Sequence, residues 1–441
     1  MPKTSDTRLM SLITCILSVL IITQFPSHGE DPEPVSIRIE PTGHTDGIFK
    51  VNEPLSINVH LENKAKKKIK TVLTCSLTTD EDDPIYSMNQ KHDLQISDKV
   101  TQMIQFNVKD PGFYKAIVKC DWEEIISDKI MKEGTSNQII QIGYDPEKIR
   151  PRLTKEPDFD RFWEQTTASL KEIDPQFELI DCPEKSTPSL RVYEVKMRSL
   201  GGVRIRGWYE VPKKEGPFPA ALRVPGYGQN MKPAGTFEDI ALLSLNPRGH
   251  GNSQEDIEAG TKNYWIRGLD DKDLYYYRGA YMDCIRGIDF LCSREEIDKE
   301  KIAVFGASQG GGLSLATASL DQRVSLCAPW VPFLAHWKKY FRTTDWPEMN
   351  EWVKFKEERT WERTLKTLSY FDSMNLATRI KCPVFMGVGL QDPVCPPSTN
   401  FAALNHTKGN RKYQVYARAG HSLGPLHQKQ VLDWIRKNFN L

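Results

Sequence analysis

Apolar and polar residues alternate along the first third of the chain, with turn-forming residues between the runs. A period of two residues is typical of β-strands with one buried face, and short strands at this spacing predict a sandwich of two sheets. The segment 110–114, Asp-Pro-Gly-Phe-Tyr, resembles the tyrosine corner of immunoglobulin-like domains. We therefore predict an N-terminal all-β, immunoglobulin-like sandwich over residues 30–145. The alternating runs are residues 35–39, 55–61, 70–76, 101–108 and 114–120.

Beyond about residue 145 the pattern changes to short apolar runs separated by helical periodicities. Alternating strands and helices predict an α/β domain over 146–441, with a mostly parallel sheet covered by helices on both faces. In such sheets the active groups lie on loops at the carboxyl ends of the strands. The predicted strands are 192–197, 203–211, 220–224, 240–245, 301–305, 324–328, 384–388 and 412–416. The predicted helices are 274–291, 310–320, 399–406 and 425–438, with a helical insert at 334–368.

The first 29 residues have the pattern of an export signal. Lys3 and Arg8 precede the apolar run 9–22, and a polar stretch follows it. The run is shorter than the ~20 residues that a membrane-spanning helix needs. We predict a signal peptide over 1–29 and a secreted or periplasmic protein, with no stable membrane insertion once the signal is removed. An uncleaved N-terminal anchor is the alternative.

Composition narrows the range of partners. The chain has 59 basic and 58 acidic residues, a net charge of +1, which argues against a nucleic-acid binder. Nine cysteines are present without a Cys-x-x-Cys pair or a histidine-rich cluster, so neither a metal nor another cofactor is predicted. Export permits disulfides, and Cys75 with Cys120 is the best candidate pair because each lies in a strand-like run.

The most informative motif is the pentapeptide Gly-Ala-Ser-Gln-Gly at 306–310. It lies between the apolar run 301–305 and a glycine-opened helical pattern. A strand, a tight turn with Ser308 at its tip and a helix are the context of a nucleophile elbow. The flanking glycines permit the sharp turn, which directs backbone N–H groups toward whatever the serine attacks. An ordinary glycine-rich turn is the alternative.

A nucleophilic serine needs a base, and the base needs an acid that fixes its tautomer. In this type of sheet the chain order is serine, acid, histidine. Asp392 follows the predicted strand 384–388, and Asp372 is its main rival. His421 follows the last predicted strand and is the candidate base. The other histidines weighed for this role are His336, His406 and His427.

An oxyanion hole needs two N–H donors. One candidate is the backbone N–H of Gln309, directly after the serine. The other is the backbone N–H of Tyr227, in the loop that follows the predicted strand 220–224. We expect the Tyr227 ring to form a wall of the acyl pocket.

With these motifs the chain resembles the acetyl xylan esterase / cephalosporin C deacetylase family (carbohydrate esterase family 7), a branch of the α/β-hydrolase superfamily. The resemblance runs from about Pro157 to the C-terminus. Ser-Gln-Gly-Gly at 308–311 together with Cys-Pro-Pro-Ser-Thr at 395–399 is its most specific part. The other matching stretches are 157–163, 226–227, 248–249, 275–278, 331–334, 363–365, 369–372 and 392–394.

The resemblance implies an α/β-hydrolase fold and the removal of acetyl groups from xylo-oligosaccharides and other small acetylated compounds. The family's catalytic triad matches Ser308, Asp392 and His421. Its oxyanion donors match Tyr227 and Gln309, and the walls of its small acyl pocket include Tyr227 and Pro332 at the matching positions.

Three positions depart from the family pattern. Pro225 stands where the family has histidine, His250 where it has glutamine, and Ser422 where it usually has glutamate. These changes leave the triad intact but alter the hydrogen bonds around it, where Arg248 is expected to act as a supporting residue. The stretch between Gly251 and Gly268 is shorter than the family loop that helps build a hexamer. We therefore do not predict a hexamer for this chain. A homo-oligomer of another size is still an alternative.

The sequence thus predicts a secreted serine esterase that acts on an acetylated oligosaccharide or another small acetyl ester through an acetyl-enzyme intermediate. Two alternatives remain at this stage. One is a serine peptidase related to prolyl oligopeptidases, which share the elbow. The other is a glycan-binding protein whose hydrolase domain is vestigial.

Overall fold

The structure is a computed structural model that describes residues 33–126, 129–256 and 263–441. The predicted signal peptide at 1–29 lies outside these residues. Within the three described ranges, no helix combines the length and the apolar character needed to cross a membrane.

Eight strands form the N-terminal region, in two sheets. One sheet has the order β1-β3-β6 and the other β2-β8-β7-β4-β5. All neighbouring strands are antiparallel except β2 and β8. The strands are β1 (Val35–Pro41), β2 (Ile48–Phe49), β3 (Leu55–Asn63), β4 (Lys68–Thr79), β5 (Pro84–Leu94), β6 (Lys99–Phe106), β7 (Gly112–Ile126) and β8 (Lys129–Tyr144).

The two sheets enclose one apolar core because the alternating residues of each strand point inward. Ile57 of β3 and Val118 of β7 are both fully buried in this core. The Tyr114 hydroxyl donates to the carbonyl oxygen of Asp110 at 2.5 Å, as a tyrosine corner requires. The predicted sandwich of two sheets is therefore present, while its assignment as immunoglobulin-like stays a prediction.

The candidate pair Cys75 and Cys120 does not form a disulfide, because both thiols are free. The two residues lie on neighbouring strands of one sheet, but Cys75 is opposite Val118 and Cys120 is opposite Leu73. They are therefore offset by two residues rather than directly paired. Burial raises the pKa of both thiols to about 11.

The rest of the chain alternates strands and helices around a nine-stranded sheet of order β17-β16-β15-β14-β12-β13-β11-β10-β9. Neighbours from β17 to β13 are parallel, and β11, β10 and β9 are added antiparallel. The strands are β9 (Glu178–Asp181), β10 (Leu190–Arg198), β11 (Arg204–Pro212), β12 (Phe218–Arg223), β13 (Ala241–Asn246), β14 (Ile297–Ala307), β15 (Leu326–Trp330), β16 (Val384–Gly389) and β17 (Arg411–Tyr416). The helices are α1 (Phe159–Lys171), α2 (Tyr276–Ser293), α3 (Gln309–Leu320), α4 (Trp337–Thr343), α5 (Pro347–Lys354), α6 (Trp361–Ser369), α7 (Ser373–Ala377), α8 (Pro397–His406) and α9 (Gly424–Phe439).

The predicted mixed α/β fold with a mostly parallel sheet is confirmed. Strands β13 and β16 are buried along their whole length, as expected for parallel strands covered on both faces. The predicted helical insert consists of three short helices, α4 to α6. The N-terminal sandwich packs against this fold, with the rings of Phe113 and Phe401 at 5.7 Å between centroids.

A buried histidine gives the α/β fold a predictable dependence on pH. His427 of α9 packs against Trp330 and Phe385, and burial lowers its pKa to about 4. Between that value and the ordinary pKa of histidine, the unfolded chain binds a proton that the folded chain does not. The free energy of unfolding therefore falls as pH drops from about 6.5 to 4, by up to about 1.4 kcal/mol per pH unit for this residue.

Urea unfolding at pH 7 and pH 4.5 measures this loss. We expect His427→Gln to lose less stability between the two pH values than the native protein does. Equal losses for the native protein and His427→Gln would contradict the assignment.

Candidate active site

Ser308 lies at the sharp turn between β14 and α3, with φ 57° and ψ −121°. A non-glycine residue rarely adopts this backbone, and such strain is concentrated at functional sites. The turn is possible because its flanking residues lack side chains. A Cβ atom at Gly306 or Gly310 would lie 2.7 or 2.5 Å from the carbonyl oxygen of Val224. The backbone N–H of Ser308 donates to the carbonyl oxygen of Trp330 at 3.0 Å, which anchors the turn to β15.

The structure brings Ser308, His421 and Asp392 together in one hydrogen-bonded row. The distance from His421 Nε2 to Ser308 Oγ is 3.0 Å, and that from His421 Nδ1 to Asp392 Oδ2 is 2.9 Å. Because a carboxylate only accepts, the ring proton of His421 is placed on Nδ1 and Nε2 is left to accept the serine proton. The Asp392 side chain is fully buried. Its Oδ1 accepts the backbone N–H groups of Val394 and Cys395, which fix the carboxylate in place.

Asp372, the rival acid, has a different role. It caps α7 and accepts backbone N–H groups from His336 at 2.7 Å, Trp337 at 3.1 Å and Met374 at 2.9 Å. Burial raises the pKa of this carboxyl to about 6. The Asp372 carboxylate thus joins the start of α4 to the start of α7, which accounts for its buried position.

The other candidate histidines have different surroundings. His406 bonds to the carbonyl oxygen of Pro151 at 2.9 Å, and His427 bonds to the Tyr416 hydroxyl at 3.1 Å. His336 begins α4, and its pKa is lowered to about 4, chiefly by burial.

The two expected oxyanion donors lie on different segments. Gln309 is the first residue of α3, so its backbone N–H has no acceptor within the helix. Tyr227 lies in the loop after β12, with its half-buried ring edge-on to Tyr264 at 5.4 Å between centroids. Pro332 packs against Gly311 in the first turn of α3. That Tyr227 and Pro332 form walls of a small acyl pocket stays a prediction.

A buried polar network behind the elbow was not predicted from the sequence. The Tyr277 hydroxyl donates to Gln309 Oε1 at 2.8 Å, and Gln309 Nε2 lies 3.3 Å from His250 Nε2. His250 Nδ1 in turn lies 2.8 Å from the carbonyl oxygen of Gln229, in the loop that carries Tyr227. Burial lowers the pKa of His250, consistent with a neutral ring that donates at Nδ1 and accepts at Nε2. His250 therefore links the loop of Tyr227 to Gln309, the two expected oxyanion donors. The only sign of this link in the sequence was that histidine stands at 250 where the family has glutamine.

Arg248 supports the site from a distance. Its guanidinium donates to both carboxylate oxygens of Asp283 on α2 and to the carbonyl oxygen of Leu200. Its own carbonyl oxygen accepts the hydroxyl of Tyr276. Arg248 thus fixes the loop after β13, which carries His250, and its side chain is directed to α2.

Cys395 lies near the serine and had no predicted role in the site. Burial raises the pKa of its thiol, and a hydrogen bond with the Ser308 hydroxyl opposes that rise. The Cys395 thiol, the Asp392 carboxylate and the His421 ring atoms lie within 4.8 Å of one another, a donor set that a metal ion could use. The His421 ring is already hydrogen-bonded to the Asp392 carboxylate on one side and to Ser308 on the other, an arrangement suited to nucleophilic catalysis.

Comparisons with known proteins identify the family of the chain. The sequence model of the family described as acetyl xylan esterase (AXE1) matches residues 144–438. The chain is 31% identical to acetyl esterase Axe7A of Xylanibacter ruminicola over 314 residues, 68% of each protein.

Solved structures give the same result. The acetyl xylan esterase from Paenibacillus sp. R4 is 36% identical, with a TM-score of 0.62, and the match covers 66% of this chain and 98% of that one. Acetyl xylan esterase 1 from Thermoanaerobacterium sp. JW/SL YS485 is 29% identical, with a TM-score of 0.61, and the match covers 66% and 97%. The chain, a hydrolase with an α/β-hydrolase fold, belongs to the acetyl xylan esterase family.

Proposed function

We propose that the protein is a serine esterase that removes acetyl groups from carbohydrates. The observation that carries the proposal is the hydrogen-bonded row Ser308–His421–Asp392, with spacings of 3.0 and 2.9 Å, in a member of the acetyl xylan esterase family. A serine on a strained turn, a histidine with a free acceptor nitrogen and a buried carboxylate are together the parts needed for acyl transfer.

In the proposed reaction Ser308 Oγ attacks the acetyl carbonyl carbon while His421 Nε2 takes the hydroxyl proton. The backbone N–H groups of Gln309 and Tyr227 hold the negative oxygen of the tetrahedral intermediate. The bond to the sugar oxygen then breaks, and that oxygen takes the proton from His421. Water then attacks the acetyl-enzyme while His421 takes one of its protons. The bond between the acyl carbon and Ser308 Oγ breaks, His421 returns the proton to Ser308, and acetate leaves. Asp392 keeps the ring oriented and stabilises its charged form throughout.

The substrate class follows from the site and from the relatives. We expect Tyr227 and Pro332 to limit the acyl group to a short one, and the similar proteins are named acetyl esterase and acetyl xylan esterase. We propose an acetylated oligosaccharide or another small acetyl ester as substrate, and export of the enzyme through the signal at 1–29. The division into an immunoglobulin-like module at 30–145 and an esterase domain at 146–441 belongs to the same proposal.

Acetate release from acetylated xylo-oligosaccharide tests the proposed function. We expect release from the acetylated sugar and much slower cleavage of the matching butyryl ester, because a longer acyl chain would meet the Tyr227 and Pro332 walls. Cleavage of a peptide amide without ester hydrolysis would instead favour the peptidase. Binding of the oligosaccharide without any acetate release would favour the glycan-binding protein.

A further inference from the structure

The residue next to Asp392 joins the active site to the N-terminal sandwich. Gln391 Oε1 accepts the backbone N–H of Gln141 on β8 at 2.8 Å, and Gln391 Nε2 donates to the carbonyl oxygen of Gln141 at 3.0 Å. A single side-chain amide thus pairs with both backbone groups of one strand residue. The two residues are 250 positions apart in the chain.

The same side chain also contacts the segment that leads to the base. Gln391 Nε2 makes a second donation, to the carbonyl oxygen of Ala417 at 2.8 Å. The backbone N–H of Gln391 donates to the carbonyl oxygen of Ala419 at 2.9 Å, two residues before His421. Gln391 therefore holds together three segments: the loop with the acid, the loop with the base, and strand β8.

A second contact joins the sandwich to helix α4. Lys339 on α4 bonds to Asp80 at 2.6 Å and to Glu81 at 2.5 Å, at the turn between β4 and β5. The next residue, Tyr340, is buried, and its pKa is raised first by burial and then by the nearby Cys395 and Asp392. The sandwich thus contacts both the acid loop and the helix that packs beside it.

We infer that Gln391 is a positioning residue, through which the sandwich fixes the Asp392 loop against the loop of His421. The inference rests on the proposed function. Each hydrogen-bonding group of the Gln391 side chain has a partner. Its oxygen accepts the N–H of Gln141, and its two amide protons go to the carbonyl oxygens of Gln141 and Ala417. Loss of the amide leaves these backbone groups without their partner, so the loops can shift relative to each other. A displacement of about 1 Å at a catalytic group can cost up to about 10²-fold in rate.

Gln391→Met tests the inference, because methionine has a similar size and makes none of the three hydrogen bonds. We expect kcat for 4-nitrophenyl acetate to fall about tenfold, within the range that small displacements produce, while KM changes less than twofold. The rate of Ser308 inactivation by a fluorophosphonate should fall by the same factor as kcat, since it depends on activation of the serine. A purely structural role would lower the melting temperature but leave the rates of the folded enzyme unchanged.

Gln391→Glu is the second variant. It keeps the side-chain length and the acceptor for Gln141, but it sets carboxylate oxygens against two carbonyl oxygens, so the same fall in kcat is expected. The matched control is Gln138→Met, an exposed glutamine on the same strand, which should retain the native rates. Native kcat in either Gln391 variant, measured on folded protein, overturns the inference. This outcome is distinct from failure of the proposed function, in which the native protein or Ser308→Ala gives the contradictory result.

Discussion

Replacement of Ser308 by alanine is expected to lower kcat for acetate release by at least about 10⁴-fold, because the variant has no oxygen to form the acetyl-enzyme. Rate enhancement that remains would come from the oxyanion donors and from substrate binding alone. The measurement is acetate release from an acetylated xylo-oligosaccharide, followed together with the thermal unfolding of the same sample.

The fold should survive this change. Alanine at φ 57° and ψ −121° has the same backbone strain as serine, and the N–H of residue 308 still donates to Trp330. The matched control is Ser293→Ala at the end of α2, where the hydroxyl donates to the carbonyl oxygen of Phe290, and native activity is expected. A folded Ser308→Ala protein with full activity would contradict the proposed mechanism.

Replacement of Asp392 by asparagine is expected to lower kcat by about 10⁴-fold, as for the corresponding change in other serine hydrolases. The asparagine oxygen would keep the two backbone N–H groups of Val394 and Cys395, so the NH₂ group would face His421 Nδ1. The ring would then carry its proton on Nε2 and could no longer accept the proton of Ser308. The measurement is kcat at pH 7.

Asp372→Asn is the matched control for this experiment, because it tests the rival acid. Its Oδ1 accepts the N–H groups of His336 and Met374, which the asparagine oxygen can keep, whereas the bond from Trp337 N–H to Oδ2 is lost because an NH₂ group cannot accept it. We expect a loss of stability and at most a small loss of kcat. An inactive Asp372→Asn enzyme together with an active Asp392→Asn enzyme would instead identify Asp372 as the acid of the triad.

Most of the strands and the elbow could be predicted because their signals are local. The alternation at 55–61 lies within β3, and the apolar run 301–305 lies within β14. The glycines beside Ser308 mark the turn because a Cβ atom there would meet the backbone of the neighbouring strand. The predicted strand 324–328 is observed two residues later, at Leu326–Trp330, because an apolar run does not fix where strand pairing begins and ends.

Contacts between distant segments could not be predicted in the same way. Cys75 and Cys120 both lie in strands as expected, but the register of β4 against β7 offsets them by two residues. The pairing of Gln391 with Gln141 has no local signal, because a glutamine before an aspartate is compatible with any polar loop. His250 was noticed only as a departure from a family pattern, and its partners Gln229 and Gln309 became visible only in the fold.

The amino-acid sequence by itself determined the alternation of strands and helices, the nucleophile elbow at Ser308 and the short set of candidate acids and bases. Each of these depends on neighbours within a few residues, so that periodicity and turn chemistry are sufficient. Only the tertiary structure decided that Asp392 rather than Asp372 meets His421, and that the sandwich contacts the acid loop. The physical reason is that hydrogen bonds act over about 3 Å in space, whereas the groups that form them here are separated by 29 to 250 positions in the chain.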